Sequence, residues 1–356
     1  MKKYNFYSGP AILPKEVLEQ ASKSVVELDN IGMSLIEISH RSKEFVNILE
    51  EAKQHVRELL QLDSDQHVLF MQGGASLQFC MIPYNILNEH ETASYLETGV
   101  WAKKAIKEAR LFGNVEVIAS SADTNFNYIP KKYLVPPTSK YFHITTNNTI
   151  YGSQMQSMPE VTIPLVADMS SDIFSRPVEG KKFDLIYAGA QKNMGTAGVT
   201  LVVVRDNLLG KVKRQIPTIL DYRTHIKENS LLNTPCTFAI YVSMLTLRWI
   251  KKMGGLVAME KINEEKAIKL YNEIDSNPLF TGVIAKQDRS RMNLTFTINK
   301  PELEESFNNA AKEAGCIGIK GHRLVGGFRA SIYNAMPMEG IDVLIGVMRE
   351  FAAKNG

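Results

Sequence analysis

Short apolar runs separated by stretches of helical spacing dominate the chain from residue 68 to residue 204. Segments 68–71, 93–97, 115–119, 141–145, 163–167, 183–187 and 199–204 are apolar and of strand length. The last three are apolar nearly throughout, as strands covered on both faces are. Seven such strands with helices between them predict one large α/β domain around a mostly parallel sheet. Upstream, residues 14–29 predict a helix with Pro14 in its first turn. Residues 44–62 predict a second, with Phe45, Ile48, Leu49, Ala52, Val56, Leu59 and Leu60 on one face. A long helix over 235–252 runs into Met253-Gly254-Gly255. Beyond it, helix 257–274, strand 293–298, helix 301–314, strand 328–332 and helix 339–353 predict a smaller α+β unit. The expected division is 1–255 for the large domain and 256–356 for the small one, with the irregular segment 1–14 open to packing against the latter.

Composition narrows the partners more than the fold. A length of 356 residues fits two or three domains, and 44% hydrophobic with 22% charged residues is ordinary globular chemistry. The net charge of +3 is small and the basic residues are scattered, which argues against a nucleic-acid partner. No stretch approaches the roughly 20 apolar residues that span a bilayer, and the N-terminus has no apolar core of a signal peptide. Cys80, Cys236 and Cys316 are isolated, form no metal-binding spacing and are expected as small buried hydrophobes in a reducing cytoplasm.

The segment Asp184-Leu-Ile-Tyr-Ala-Gly-Ala-Gln-Lys192 reads as an apolar strand that breaks at Gly189 and presents a lysine. Asp168 closes the preceding strand. In such a sheet, ligands collect at the carboxyl ends of strands, where both residues stand. A lysine against apolar walls is pushed towards its neutral, carbonyl-attacking form. Paired with an aspartate it has the two groups a pyridoxal 5'-phosphate (PLP) enzyme needs, one for the aldehyde and one for the ring nitrogen. In isolation the lysine also reads as an ordinary turn residue. Gln72-Gly73-Gly74-Ala75-Ser76 joins a strand to an apolar helix, so it is either a plain turn or a cradle for a monophosphate. Trp101 follows another strand end and is open to ring stacking or to core packing. Thr149, in Asn147-Asn148-Thr149, offers a hydroxyl at a third strand end. Two His-Arg pairs, His40-Arg41 and His322-Arg323, together with Arg329, offer cationic forks to anions. No cysteine or histidine cluster has metal-binding spacing, and no Gly-x-Ser-x-Gly elbow is present.

These motifs together resemble the phosphoserine aminotransferase family. The resemblance is carried by Tyr4-Asn-Phe-Tyr-Ser-Gly-Pro-Ala11, Ser39-His40-Arg41-Ser42, Gly73-Gly-Ala-Ser-Leu-Gln-Phe79, Tyr187-Ala-Gly-Ala-Gln-Lys-Asn193, Asn233-Thr234-Pro235, Gly321-His322-Arg323 and Gly326-Gly-Phe-Arg-Ala-Ser-Ile-Tyr-Asn-Ala-Met336. It runs from the first ten residues to the last forty, in order. It implies a fold-type I PLP-dependent transferase working as a homodimer with active sites at the subunit interface. The implied reaction transfers the amino group of L-glutamate to 3-phosphohydroxypyruvate, giving O-phospho-L-serine in serine biosynthesis. In many bacteria the family also handles the four-carbon phosphorylated acid of pyridoxine synthesis. Carried over by position, Lys192 holds the cofactor as a Schiff base, Asp168 pairs with its ring nitrogen, Trp101 stacks on it and Thr149 meets its edge. Ala75, Ser76 and Gln191 hold its phosphate from one subunit, and Asn233 and Thr234 reach it from the other. Arg41 and Arg329 clamp substrate carboxylates, while His40, His322 and Arg323 receive the substrate phosphate. The chain departs from the family at Ala75-Ser76, where many members have Gly-Arg, at Leu324, often small and polar, and at Thr196 and Cys236, where proline is common. A serine–pyruvate aminotransferase or a cysteine desulfurase would share Lys192 and Asp168 but not the paired His-Arg motifs.

Overall fold

The computed structural model describes residues 2–355. The chain opens with a two-residue strand, β1 (Tyr4–Asn5), then two helices, α1 (Lys15–Val26) and α2 (Lys43–Leu60). Ser42 caps α2 by accepting from the Phe45 amide, and Gln61 ends it in the left-handed conformation. The central sheet follows: β2 (Gln66–Met71), β3 (Thr92–Glu97), β4 (Asn114–Ser120), β5 (Phe142–Thr145), β8 (Leu165–Asp168), β9 (Leu185–Gly189) and β10 (Thr200–Arg205). A small hairpin, β6 (Asn147–Asn148) with β7 (Ser153–Gln154), interrupts the series. Across the sheet the order is β2-β10-β9-β8-β5-β3-β4, parallel except for β10, which runs against both neighbours. All seven strands expected from the apolar runs are present, shifted by one or two residues. β8 starts only at Leu165 because Pro164 has no N–H for the ladder, although its carbonyl still accepts from Phe142.

Alternation along the strands feeds two cores. Phe70, Ile144, Ala167, Ile186 and Val203 face α1, α2 and α6 (Thr237–Lys252). Leu69, Tyr95, Val166, Tyr187 and Val202 face α3 (Gly74–Ile86), α4 (Val100–Ala109) and the short α5 (Tyr222–Lys227). Each large side chain buried this way stabilises the fold by about 1.5–3 kcal/mol, so both faces hold the strand ends rigidly. Cysteine burial differs from expectation. Cys316 is buried and Cys80 half-buried, but Cys236 is exposed, because it stands at the start of α6 outside either core.

After α6 comes α7 (Gly255–Ser276), then the antiparallel sheet β11 (Phe280–Gly282), β12 (Asn293–Ile298) and β14 (Phe328–Ser331), with α8 (Glu304–Glu313) and α9 (Met338–Asn355). Residues 301–303 form a separate 3₁₀ turn leading into α8. Phe280, Phe296, Phe307 and Phe328 interlock at the centre, with ring centroids 4.9–6.5 Å apart. Tyr4 and Phe6 complete this core, and β1 lies parallel to β13 (Cys316–Ile317). The chain's beginning is thereby sewn to its last hundred residues. Among the described residues no helix is long and apolar enough to cross a membrane.

Candidate active site

The carboxyl ends of β5, β8 and β9 open onto a cavity of about 300 Å³. β5 ends in Thr145 and β8 in Asp168, which lie opposite each other in the parallel register. β9 is fully buried and exits through Gly189 into a tight turn closed by the Met194 and Gly195 amides on the Ala190 carbonyl. Gln191 and Lys192 ride on that turn and project into the cavity. The N-terminus of α3 contributes Gly74, Ala75 and Ser76, and the first turn of α4 contributes Trp101. Gly73 takes φ +90° and Gly74 φ +66°, which turns the α3 amides towards the cavity. Arg329 on β14 and His322 complete the wall from one side, and Ser8 and Gly9 from another. Gly9 takes φ +142°, a backbone conformation that disfavours any side chain, although a Cβ there would meet Gln191 and Lys192 only at ordinary contact distance.

The Lys192 amine donates to Thr149 Oγ1 at 2.9 Å. Lys192 is only half-buried along its length, but its amine end is dry. Burial lowers its pKa to about 8, offset in part by the Asp168 carboxylate and reinforced by Arg329. Asp168 is buried and pushed up by desolvation, while hydrogen bonding from Ser170 (its amide at 2.9 Å) and the Lys192 charge pull it back. Behind it, Tyr187 pairs with His143 Nε2 at 2.9 Å, and burial holds that imidazole neutral, its pKa lowered to about 3. Asp172 accepts from Thr146 Oγ1 at 2.5 Å and Gln154 Nε2 at 3.1 Å. Arg329 donates to Ser8 Oγ at 2.9 Å and to the Thr149 carbonyl at 3.4 Å. Its Nε is buried with no partner among the described residues, as are Trp101 Nε1 and Thr145 Oγ1. His322 is driven towards the neutral form by burial and by the charges of Arg329, Arg323 and Lys104. A dry amine, a buried carboxylate, a helix start and the Arg329 guanidinium therefore meet in one cleft, with His322 at its wall.

The Aminotransferase class-V family model matches residues 3–344. The chain belongs to the class-V aminotransferases. Phosphoserine aminotransferase of Flavobacterium johnsoniae is 56% identical to it over 355 residues, 99% of this chain and 100% of that one. The solved phosphoserine aminotransferase of Bacillus circulans subsp. alkalophilus superimposes with a TM-score of 0.97 at 44% identity, covering 100% of this chain and 99% of that one. The PLP-bound enzyme of Trichomonas vaginalis gives 0.93 at 41% identity, covering 98% and 100%.

In this aminotransferase the cavity gathers Ala75, Ser76, Trp101, Thr149, Asp168, Gln191, Lys192, His322 and Arg329 from the residues singled out in the sequence. His40, Arg41, Arg323, Asn233 and Thr234 do not line it. Arg41 and Arg323 are exposed, while His40 turns a buried, unpartnered Nε2 inward. Asn233 donates to Gln72 Oε1 at 2.7 Å, and Gln72 donates to the Thr234 carbonyl at 3.1 Å, so both lie at the outer edge of the Gly73 turn. Ser8, Gly9, Thr145, Asn147, Ile150, Ser170 and Ser171 also line the cavity, and residue-by-residue reasoning assigned them no role. The only signal for Ser8 and Gly9 was their place in the Tyr4–Ala11 motif; the rest, apart from the apolar Ile150, are polar residues beside strand ends.

Proposed function

We propose that this aminotransferase transfers the amino group of L-glutamate to 3-phosphohydroxypyruvate, giving O-phospho-L-serine and 2-oxoglutarate, with PLP held in the cavity. The observation that carries the reading is the dry Lys192 amine on the same cavity as the buried Asp168. The donor set fits that cofactor. The amine suits the aldehyde, and the carboxylate suits a protonated ring nitrogen. The α3 start suits the phosphate, and buried Trp101 Nε1 and Thr145 Oγ1 have no partner among the described residues. When bound, PLP supplies an electron sink for charge left on the substrate Cα.

The protein's own groups do the rest. Lys192 would hold the cofactor at its aldehyde, and its free amine would move the proton at the substrate Cα as general acid/base. Asp168 would pair with the cofactor's ring nitrogen and hold it protonated. Trp101 would stack on the ring, and Thr149, which accepts from the Lys192 amine, would meet the ring edge. Ala75, Ser76 and Gln191 take the cofactor phosphate, joined by Asn233 and Thr234 from the second copy of a homodimer. Arg329 and Arg41 receive substrate carboxylates; His322, Arg323 and His40 receive the substrate phosphate. Arg329 lines the cleft, and the charges of Arg323 and Lys104 bear on His322 at its wall, which suits a substrate with more than one anionic end. The proposed working form is a cytoplasmic homodimer.

The test is spectroscopic. Purified holoenzyme should be yellow, lose its visible band on adding glutamate and regain it on adding 3-phosphohydroxypyruvate. No change with glutamate, or equal recovery with pyruvate, would defeat the reading.

A further inference from the structure

Lys266, in the middle of α7, is wholly enclosed and takes no part in the chemistry described above. Its amine donates to three successive backbone carbonyls, Ile332 at 3.1 Å, Tyr333 at 2.9 Å and Asn334 at 3.3 Å. It forms no ion pair among the described residues, and burial alone lowers its pKa to about 7. Three adjacent carbonyl dipoles pointing at one spot repel each other unless a strong donor sits there. An ammonium has three donors and no acceptor, one for each.

The segment it gathers touches both sides of the active cavity. Tyr333 donates its hydroxyl to the Ser8 carbonyl at 2.8 Å, and Ser8 Oγ accepts from Arg329. The Asn334 amide donates to Asn193 Oδ1 at 3.0 Å, and Asn193 is the chain neighbour of Lys192. One turn earlier on α7, Asn263 donates to Asn334 Oδ1 at 2.8 Å and to the Ser175 carbonyl at 3.0 Å. We propose that Lys266 is a positioning residue for the reaction: its grip on segment 332–334 sets the Arg329 guanidinium and the Lys192 turn in register with each other. The inference rests on the reading of Arg329 as a carboxylate clamp and of Lys192 as the reacting amine. Misplacement of such groups by about 1 Å is enough to cost one to two orders of magnitude in rate or affinity.

Lys266→Met keeps the length and removes the donors; Lys266→Gln keeps two of them. In the Met holoenzyme, amide hydrogen exchange should quicken together over 328–336 and over 190–196. The glutamate dissociation constant, from titration of the visible band, should rise about tenfold or more. The Gln variant should fall between this and the parent. A merely structural role would loosen 332–334 and leave the 190–196 turn and glutamate affinity unchanged. A folded Met variant with both readouts at the parental level overturns the proposal. If the Met variant does not fold, the Gln variant decides on the same two readouts, and parental values in it likewise overturn the proposal. A parent that shows no response to glutamate refutes the proposed function instead, while the exchange measurement still judges Lys266.

Discussion

At the scale of single residues, the behaviour of Lys192 follows from dryness. Burial penalises the ammonium, so the neutral, nucleophilic amine gains with rising pH and reaches half near pH 8. Capture of added PLP by cofactor-stripped protein should therefore accelerate through that range and slow about tenfold per pH unit below it. Stopped-flow absorbance measures this, and a flat profile from about pH 6 to about pH 10 would contradict the dry site. Lys192→Ala should lose the visible band and lower turnover by about 10³-fold or more, since anchor and proton carrier go together. Arg323 calls for a comparison of half-reactions. Arg323→Ala should slow the phosphoserine half-reaction by about ten- to a hundredfold, the worth of one charge-assisted hydrogen bond. The glutamate half-reaction, which involves no phosphate, should stay near the parental rate. Equal losses in both would remove Arg323 from phosphate recognition.

Elements carry the next level of control. The turn into α3 holds Gly73 at φ +90°, and a Cβ there would lie 2.5 Å from the Leu77 side chain. Gly73→Ala should cost about 1–3 kcal/mol of stability and weaken PLP retention, because the α3 amides can no longer face the cavity. Thermal unfolding and cofactor release by dialysis would show both losses; retention with lowered stability alone would separate the turn from phosphate binding. The strands were legible because their burial is written into composition. Val202, Val203 and Val204 must be apolar whichever face they take, since both faces are covered. The two-residue pairs β1–β13 and β6–β7 left no such trace. Two residues cannot show alternation; β1 is fixed by a partner far along the chain, and β6 by a short hairpin. Pro301 marked the start of the helix ending at Glu313 but not the change from 3₁₀ to α geometry after Leu303.

For the molecule as a whole, the candidate site was legible at Lys192 and Asp168, whose strands announce themselves. It was illegible where the wall comes from segments with no strand or helix pattern. Ser8 and Gly9 reach the cavity only because Tyr4 and Phe6 are buried in the smaller core. Asn233 and Thr234 lie outside their own chain's cavity, so the proposed homodimer makes a sharp forecast. Neither Lys192→Ala nor Asn233→Ala should be active alone. Dissociated and reassociated together, they form mixed dimers with one intact site, and activity should recover to about a quarter of the parental value. No recovery would place Asn233 outside a shared site.

The pairing of Tyr4–Asn5 with Cys316–Ile317 has a consequence for birth on the ribosome. At about 5–20 residues per second, the opening strand waits some 15–60 s for its mate to be translated. Until then Ser8 and Gly9 have nothing to seat them. A nascent chain stalled before Cys316 should fail to keep its vitamin, however well its central sheet has formed.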